Sequence, residues 1–207
     1  MGIPDTLADD VNGAAGAFSQ AQEATLSGDI ARAADLYELA DELAPSAPAL
    51  RNATRARLAA GHLTMAATNA ATLLRRYPSD KESREIADAV LAKLAPQLAQ
   101  LDVTCSAACT LLVDGKVAIS VAREQHSLFA QPGGRSVTAV FGDGRKTTGQ
   151  VTALANHINP LRLEAPRPVE ARPAAPAGSQ PAGGPGARRD RPAERQGLSK
   201  WWLVGGA

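Results

Sequence analysis

The sequence predicts an α+β protein whose helices and strands lie in separate domains: helical repeats, then a small antiparallel β-sandwich, then a disordered Pro-rich linker. Three observations predict this. Two landmarks recur at a spacing of 33 residues early in the chain. Near residue 100 the apolar pattern changes from helical periodicity to alternation. After residue 165 the composition turns to Pro, Gly, Ala and Arg, with too little apolar side chain to offset the entropy of ordering.

The helical region is placed at residues 14–98, after a flexible stretch 1–13. Gly28-Asp-Ile-Ala-Arg-Ala-Ala-Asp-Leu-Tyr opens one unit and Gly61-His-Leu-Thr-Met-Ala-Ala-Thr-Asn-Ala the next. Gly28 and Gly61, and likewise Pro45 and Pro78, are 33 residues apart. Glycine suits the left-handed turn after a helix, and proline stops the helix that follows. Ile30, Ala33, Ala34, Tyr37 and Ala40 share one helical face. A third helical stretch, about 79–98, carries Ile86, Val90 and Leu94 on one face. Alanine supplies much of the 44% hydrophobic content, and aromatics are only 3%. Each alanine buries little area, so the helical cores should be thin.

Gly28, Ala33, Tyr37, Ala40 and Pro45 resemble the second-helix pattern of the tetratricopeptide repeat. Gly61, Ala66 and Pro78 repeat it in part, with Ala70 where an aromatic is usual. The resemblance implies two degenerate repeats and a capping helix, which bury their faces by stacking. It also implies that first helices line a peptide groove. Phe18 and Gln22 in one repeat, and Arg51 and Arg55 in the next, would form its wall, the arginines holding an acidic or C-terminal segment. The alternative for these four residues is a solvated helix face.

The β region is placed at residues 100–165. Leu101–Cys105, Val117–Val121 and Ser136–Phe141 alternate, and Leu161–Leu163 closes the set. Asp114-Gly115, Pro132-Gly133-Gly134 and Gly142-Asp143-Gly144 mark turns. Leu112-Val113-Asp114-Gly115-Lys116, Pro132-Gly133 before a strand, and the final strand resemble the PEGA domain, a small β module of bacterial envelope proteins.

Cys105 and Cys109 are the chain's two cysteines. Read as flanking a tight turn between paired strands, they form a disulfide, which implies an oxidising compartment. Two reduced thiols are the alternative. Zinc is not expected, because two thiolates need two further ligands and His126 has no partner motif. His62, His126 and His157 read as solvated turn residues, although residue types alone leave a Cys–His nucleophile pair open. Gly142–Thr148 lacks the glycine before lysine that a phosphate loop requires. No catalytic constellation and no cofactor motif emerge, and the chain reads as non-enzymatic.

Net charge is +1, which gives no global field for nucleic acid. Residues 166–197 read as the linker. Residues 198–207, with Trp201 and Trp202 beside Lys200, read as the start of a transmembrane helix; the alternative is a hydrophobic tail that docks on the folded domains. No basic stretch followed by an apolar run opens the chain, which fits either a cytoplasmic start or a segment of a longer protein. The expected function is therefore a membrane-tethered scaffold of the bacterial envelope, binding a protein or a cell-wall polymer. The alternative is a cytoplasmic adaptor that binds acidic or C-terminal peptides, which the basic residues before the apolar tail favour.

Overall fold

Five helices precede five strands: α1 (Asp5–Leu26), α2 (Ile30–Leu43), α3 (Ala47–Ala59), α4 (Leu63–Arg76), α5 (Lys81–Leu94), a 3-10 turn (Ala95–Gln97), β1 (Ala99–Val113), β2 (Lys116–Ala130), β3 (Gly133–Phe141), β4 (Lys146–Ala153) and β5 (Ile158–Leu163). This is a computed structural model and describes residues 5–167. The linker and membrane segment expected after residue 167 lie outside the described residues.

The repeat is visible as local geometry. Gly28 and Gly61 hold φ values of 83° and 74°. After each glycine the chain closes the same i→i−5 hydrogen bond, Asp29 N to Ala24 O and His62 N to Arg57 O, both 2.9 Å. That bond marks the Schellman motif, in which a left-handed residue satisfies the last carbonyls of a helix. A Cβ at either glycine would meet nothing within 4 Å, so only the backbone demands glycine there. Gly28→Ala is expected to cost about 1 kcal/mol, with Gly61→Ala similar and the pair additive; urea unfolding reads the loss, and a neutral result would remove the αL argument. α2 and α4 stop just before Pro45 and Pro78, as the spacing predicts.

The stretch 1–13, read as flexible, instead contains the start of α1 at Asp5. Gly13 does not break this helix. It lets α1 approach α2, since a Cβ there would lie 3.2 Å from Leu43 Cδ1. The α1–α3 core is built from Ala21, Ala24, Ala33, Ala34, Ala53 and Ala56 around Tyr37. It is thin, as the composition predicts.

The strands form one five-stranded sheet in the order β2-β1-β3-β4, with β5 parallel to β1; all other pairs are antiparallel. Two expectations change here. The sheet is a single hydrogen-bonded network rather than two layers, and β5 is not antiparallel. Buried Asn159 fixes β5: its amide binds Leu154 N, Leu154 O, His157 O and Gln100 O. Asp114 and Gly115, with φ 50° and 78°, form the two-residue turn between β1 and β2 that Asp-Gly predicts.

The β1–β2 hairpin cannot be straight. Fifteen strand residues would extend about 50 Å. Yet Arg135, five residues beyond the end of β2, reaches Gln131 O, Pro132 O and Asp114 Oδ2 at the hairpin's tip, at 2.8, 2.9 and 2.8 Å. The bend comes from opposed bulges. Between Thr104 and Cys109, five steps of β1 face two of β2; between Cys109 and Leu111, two steps of β1 face four of β2. Bulges bend and twist a strand, and this pair folds the hairpin back on itself. On the far side, Gly149 of β4 passes the leucines of β5 so closely that a Cβ would lie 2.8 Å from Leu163 Cδ2.

Helices and sheet are not separate domains. Residues 5–167 fall in one compact unit. Phe129 of β2 belongs to the helical core with Leu50, Leu73, Val90, Leu94 and Leu98. Its backbone N–H donates to Thr68 Oγ1 of α4 at 2.9 Å. An outward-facing strand N–H left unpaired is costly, and the α4 threonine satisfies it.

Candidate functional site: a helix–strand cleft beside a cysteine–histidine cluster

Among the described residues α2 and α4 are hydrogen-bonded to β2 through Glu42 with Ser120 and Thr68 with Phe129. A cleft of about 490 Å³ lies between these elements. This is within the size range of ligand pockets. From the helices it is lined by Glu38, Asp41, Asn69, Arg75 and Arg76, and from β2 by Val121, Arg123 and Gln125 among others.

Its charges divide into satisfied and unsatisfied groups. Arg76 Nη1 pairs with Asp41 at 2.6 Å. Glu38 is held by Arg57, and Arg135 by Asp114. Arg75 reaches only Thr72 Oγ1, at 3.3 Å, and neither Arg75 nor Arg123 has an acidic partner among the described residues. Partial burial and the positive charges of Arg123 and Arg76 lower the Arg75 guanidinium below its ordinary value. An anion entering here relieves repulsion rather than displacing an internal partner.

The four residues proposed for a repeat groove lie elsewhere. Phe18 is half-buried against Tyr37, ring centroids 5.2 Å apart in an edge-on arrangement. Gln22 is exposed on α1. Arg51 takes the position of Phe18 one repeat later, where Ala70 replaces Tyr37. With no aromatic to meet, its guanidinium turns to the start of α5 and pairs with Asp80 at 2.6 Å and Glu82 at 3.0 Å. Arg55 also pairs with Glu82 at 3.0 Å. The fold thus supplies both arginines with carboxylates. Asp80 caps α5 by accepting from Ser83 N, and the Ser83 hydroxyl, that backbone bond and Arg51 together hold its carboxyl below the usual range. Arg75 and Arg123 were missed because they are remote in sequence and only the α4–β2 packing brings them together.

Cys105 and Cys109 form a disulfide, with Cα atoms 6.5 Å apart. They do not flank a turn, as read from the sequence. Both lie on β1 and bracket its bulge, so Ser106–Ala108 make the excursion that brings two residues of one strand together. A bridge closing so small a loop contributes about 2 kcal/mol in the chain-entropy account. Cys105→Ser/Cys109→Ser is expected to lose that amount in urea unfolding, and the unreduced, unfolded chain to show no reactive thiol. Two reactive thiols would contradict the bridge.

His126 departs most from expectation. It is a buried residue of β2, 8% exposed, not a solvated turn residue. Its Nε2 lies 3.6 Å from Cys109 Sγ and 2.9 Å from the carbonyl oxygens of both Cys109 and Arg123. Burial is the main cause that pushes its pKa down, so the neutral ring is favoured. His62 stands at the N-terminus of α4 with Nδ1 3.1 Å from Arg57 Nη1, and His157 is in the turn before β5. No helix among the described residues is long and apolar enough to cross a membrane. No protein-family model matches the chain, and no curated protein matches it.

Proposed function

We propose that the chain is a non-enzymatic binding protein that holds an extended acidic segment of a protein partner in the cleft between α4 and β2. The observation that carries this is the pair Arg75 and Arg123, two cations without internal carboxylates on opposite walls of a cavity large enough for a ligand. β2 is an edge strand whose only strand partner among the described residues is β1. Apart from Phe129, whose N–H is taken by Thr68, its outer edge suits a main chain laid alongside, and the arginines suit the side-chain or terminal carboxylates of that chain. In this reading the helices are tetratricopeptide-like repeats that shape one wall, and the PEGA-like β module supplies the other.

The same reading places the protein in the bacterial envelope, tethered through the apolar segment at 198–207. The disulfide supports an oxidising compartment. A thiol count on protein trapped with a blocking reagent during lysis of its native host tests the compartment. Blocked thiols on both cysteines would favour the cytoplasmic adaptor instead.

Binding is tested with a fluorescein-labelled hexaglutamate peptide. Saturable anisotropy that weakens with salt is expected. Arg75→Glu/Arg123→Glu should weaken it at least about tenfold, equivalent to 1.4 kcal/mol. Arg51→Glu/Arg55→Glu should leave it nearly unchanged, because those arginines are occupied by Asp80 and Glu82. The reverse ranking would move the site to the repeat face; no saturable binding would reject the acidic segment.

A further inference from the structure

The bend in the β1–β2 hairpin gathers three soft donors into one buried spot. Cys105, Cys109 and His126 are 3%, 0% and 8% exposed, and their ligand atoms all lie within 4.8 Å of one another. We propose that, with the disulfide reduced, these three residues bind one divalent metal ion of the zinc class.

The geometry supports this independently of the peptide cleft. Zinc–sulfur and zinc–nitrogen bonds of about 2.3 and 2.0–2.1 Å at a tetrahedral angle separate the two donors by about 3.6 Å. The Cys109 Sγ to His126 Nε2 distance is 3.6 Å. The Cα separation of the cysteines, 6.5 Å, is near the upper end of the disulfide range, so separated thiolates fit without drawing the backbone closer. Two carbonyl oxygens, of Cys109 and Arg123, point at Nε2 from 2.9 Å. They surround the position ahead of Nε2 with partial negative charge, which favours a cation there, and one of them or a water completes four-coordination. His126 also lines the cleft, which gives the ion a path in.

The chemistry balances with a dithiol as reductant. The dithiol gives two electrons and two protons to the Cys105–Cys109 bond and leaves as its own disulfide. The metal then displaces the two thiol protons to solvent. His126 keeps one proton, moved from Nε2 to Nδ1, and ligates through the freed Nε2 lone pair. A disulfide oxidant reverses the sequence: it takes two electrons from the thiolates and two protons from solvent, leaves as a dithiol, and the ion is expelled as the Cys105–Cys109 bond re-forms. The cluster therefore holds the Cys105–Cys109 bridge in an oxidising compartment and, with His126, a metal in a reducing one.

The test uses the full chain reduced with a dithiol, freed of reductant under anaerobic conditions and titrated with cobalt(II). One cobalt per chain is expected, with sulfur-to-cobalt charge transfer and tetrahedral ligand-field bands, and zinc should displace it. The oxidised chain should show neither band. His126→Gln keeps an N–H donor at the Nε2 position for the two carbonyls, and should retain a native circular dichroism spectrum while weakening cobalt more than about 100-fold, beyond the effect of losing a residue that only orients a ligand. A reduced chain that unfolds, that shows no charge transfer, or that binds cobalt equally well as His126→Gln overturns the proposal.

Discussion

Replacing Phe129 by alanine is expected to destabilise the folded unit by about 3 kcal/mol, and to loosen the helices although the change lies in the sheet. Phe129 is 9% exposed and packs with Leu50, Leu73, Val90, Leu94 and Leu98, all of them outside the strands. Removing the ring deletes its buried area and leaves a cavity whose lining cannot close fully, because α3, α4 and α5 are held to one another independently of it. Urea unfolding gives the magnitude. Hydrogen exchange gives the location: amides of α4 and α5 should lose protection as much as those of β2. Protection lost only in the sheet would mean that helices and strands are energetically separate, as the sequence reading had them. Thr68→Val offers a second approach to the same contact. It removes the acceptor for Phe129 N while keeping side-chain shape, and should cost about 1–2 kcal/mol through the unsatisfied strand N–H.

The sequence separates what is local from what is not. Gly28, Gly61, Pro45, Pro78 and Asp114-Gly115 act within a few residues, through backbone conformations that few other residues adopt, and each lies where its chemistry predicts. β1 was cut short because Thr104–Cys109 leave the alternation that identifies a strand, and a bulge writes no signature of its own. His126 carries no sign in its neighbours that it will face Cys109, since that contact exists only once the hairpin folds back. Phe129 lies in the short apolar run Leu128–Ala130 at the end of β2, and nothing nearby says which of two cores receives it. Arg51 looked free because its carboxylates lie 29 and 31 positions further along the chain. In each case the missing information is a partner, not a propensity.

Arg57→Ala is expected to cost about 3 kcal/mol and to weaken the acidic peptide as well. Arg57 is 4% exposed on α3 and joins three helices. Its Nε donates to Glu38 Oε1 at 2.8 Å, its Nη2 pairs with Asp35 at 2.6 Å, and its Nη1 lies 3.1 Å from His62 Nδ1. Burial alone would lower its pKa; the hydrogen bonds and charges of Glu38, then Asp35, outweigh that and hold the guanidinium above its ordinary value. Removing one member of a buried pair is costly mainly because the other is left uncompensated. Glu38, 21% exposed at its side chain, would retain only the Asn69 amide at 2.7 Å. Arg57→Met/Glu38→Met removes both charges and should recover at least about 1 kcal/mol of the loss in urea unfolding, the sign of a coupled pair. Binding should follow the same order. Glu38 and Asn69 line the cleft, so an unpaired Glu38 carboxylate would repel hexaglutamate, whereas the double variant would not. If single and double variants bind equally, Glu38 lies outside the field of the bound segment, and the cleft's selectivity rests on its cations, Arg75 and Arg123 first among them.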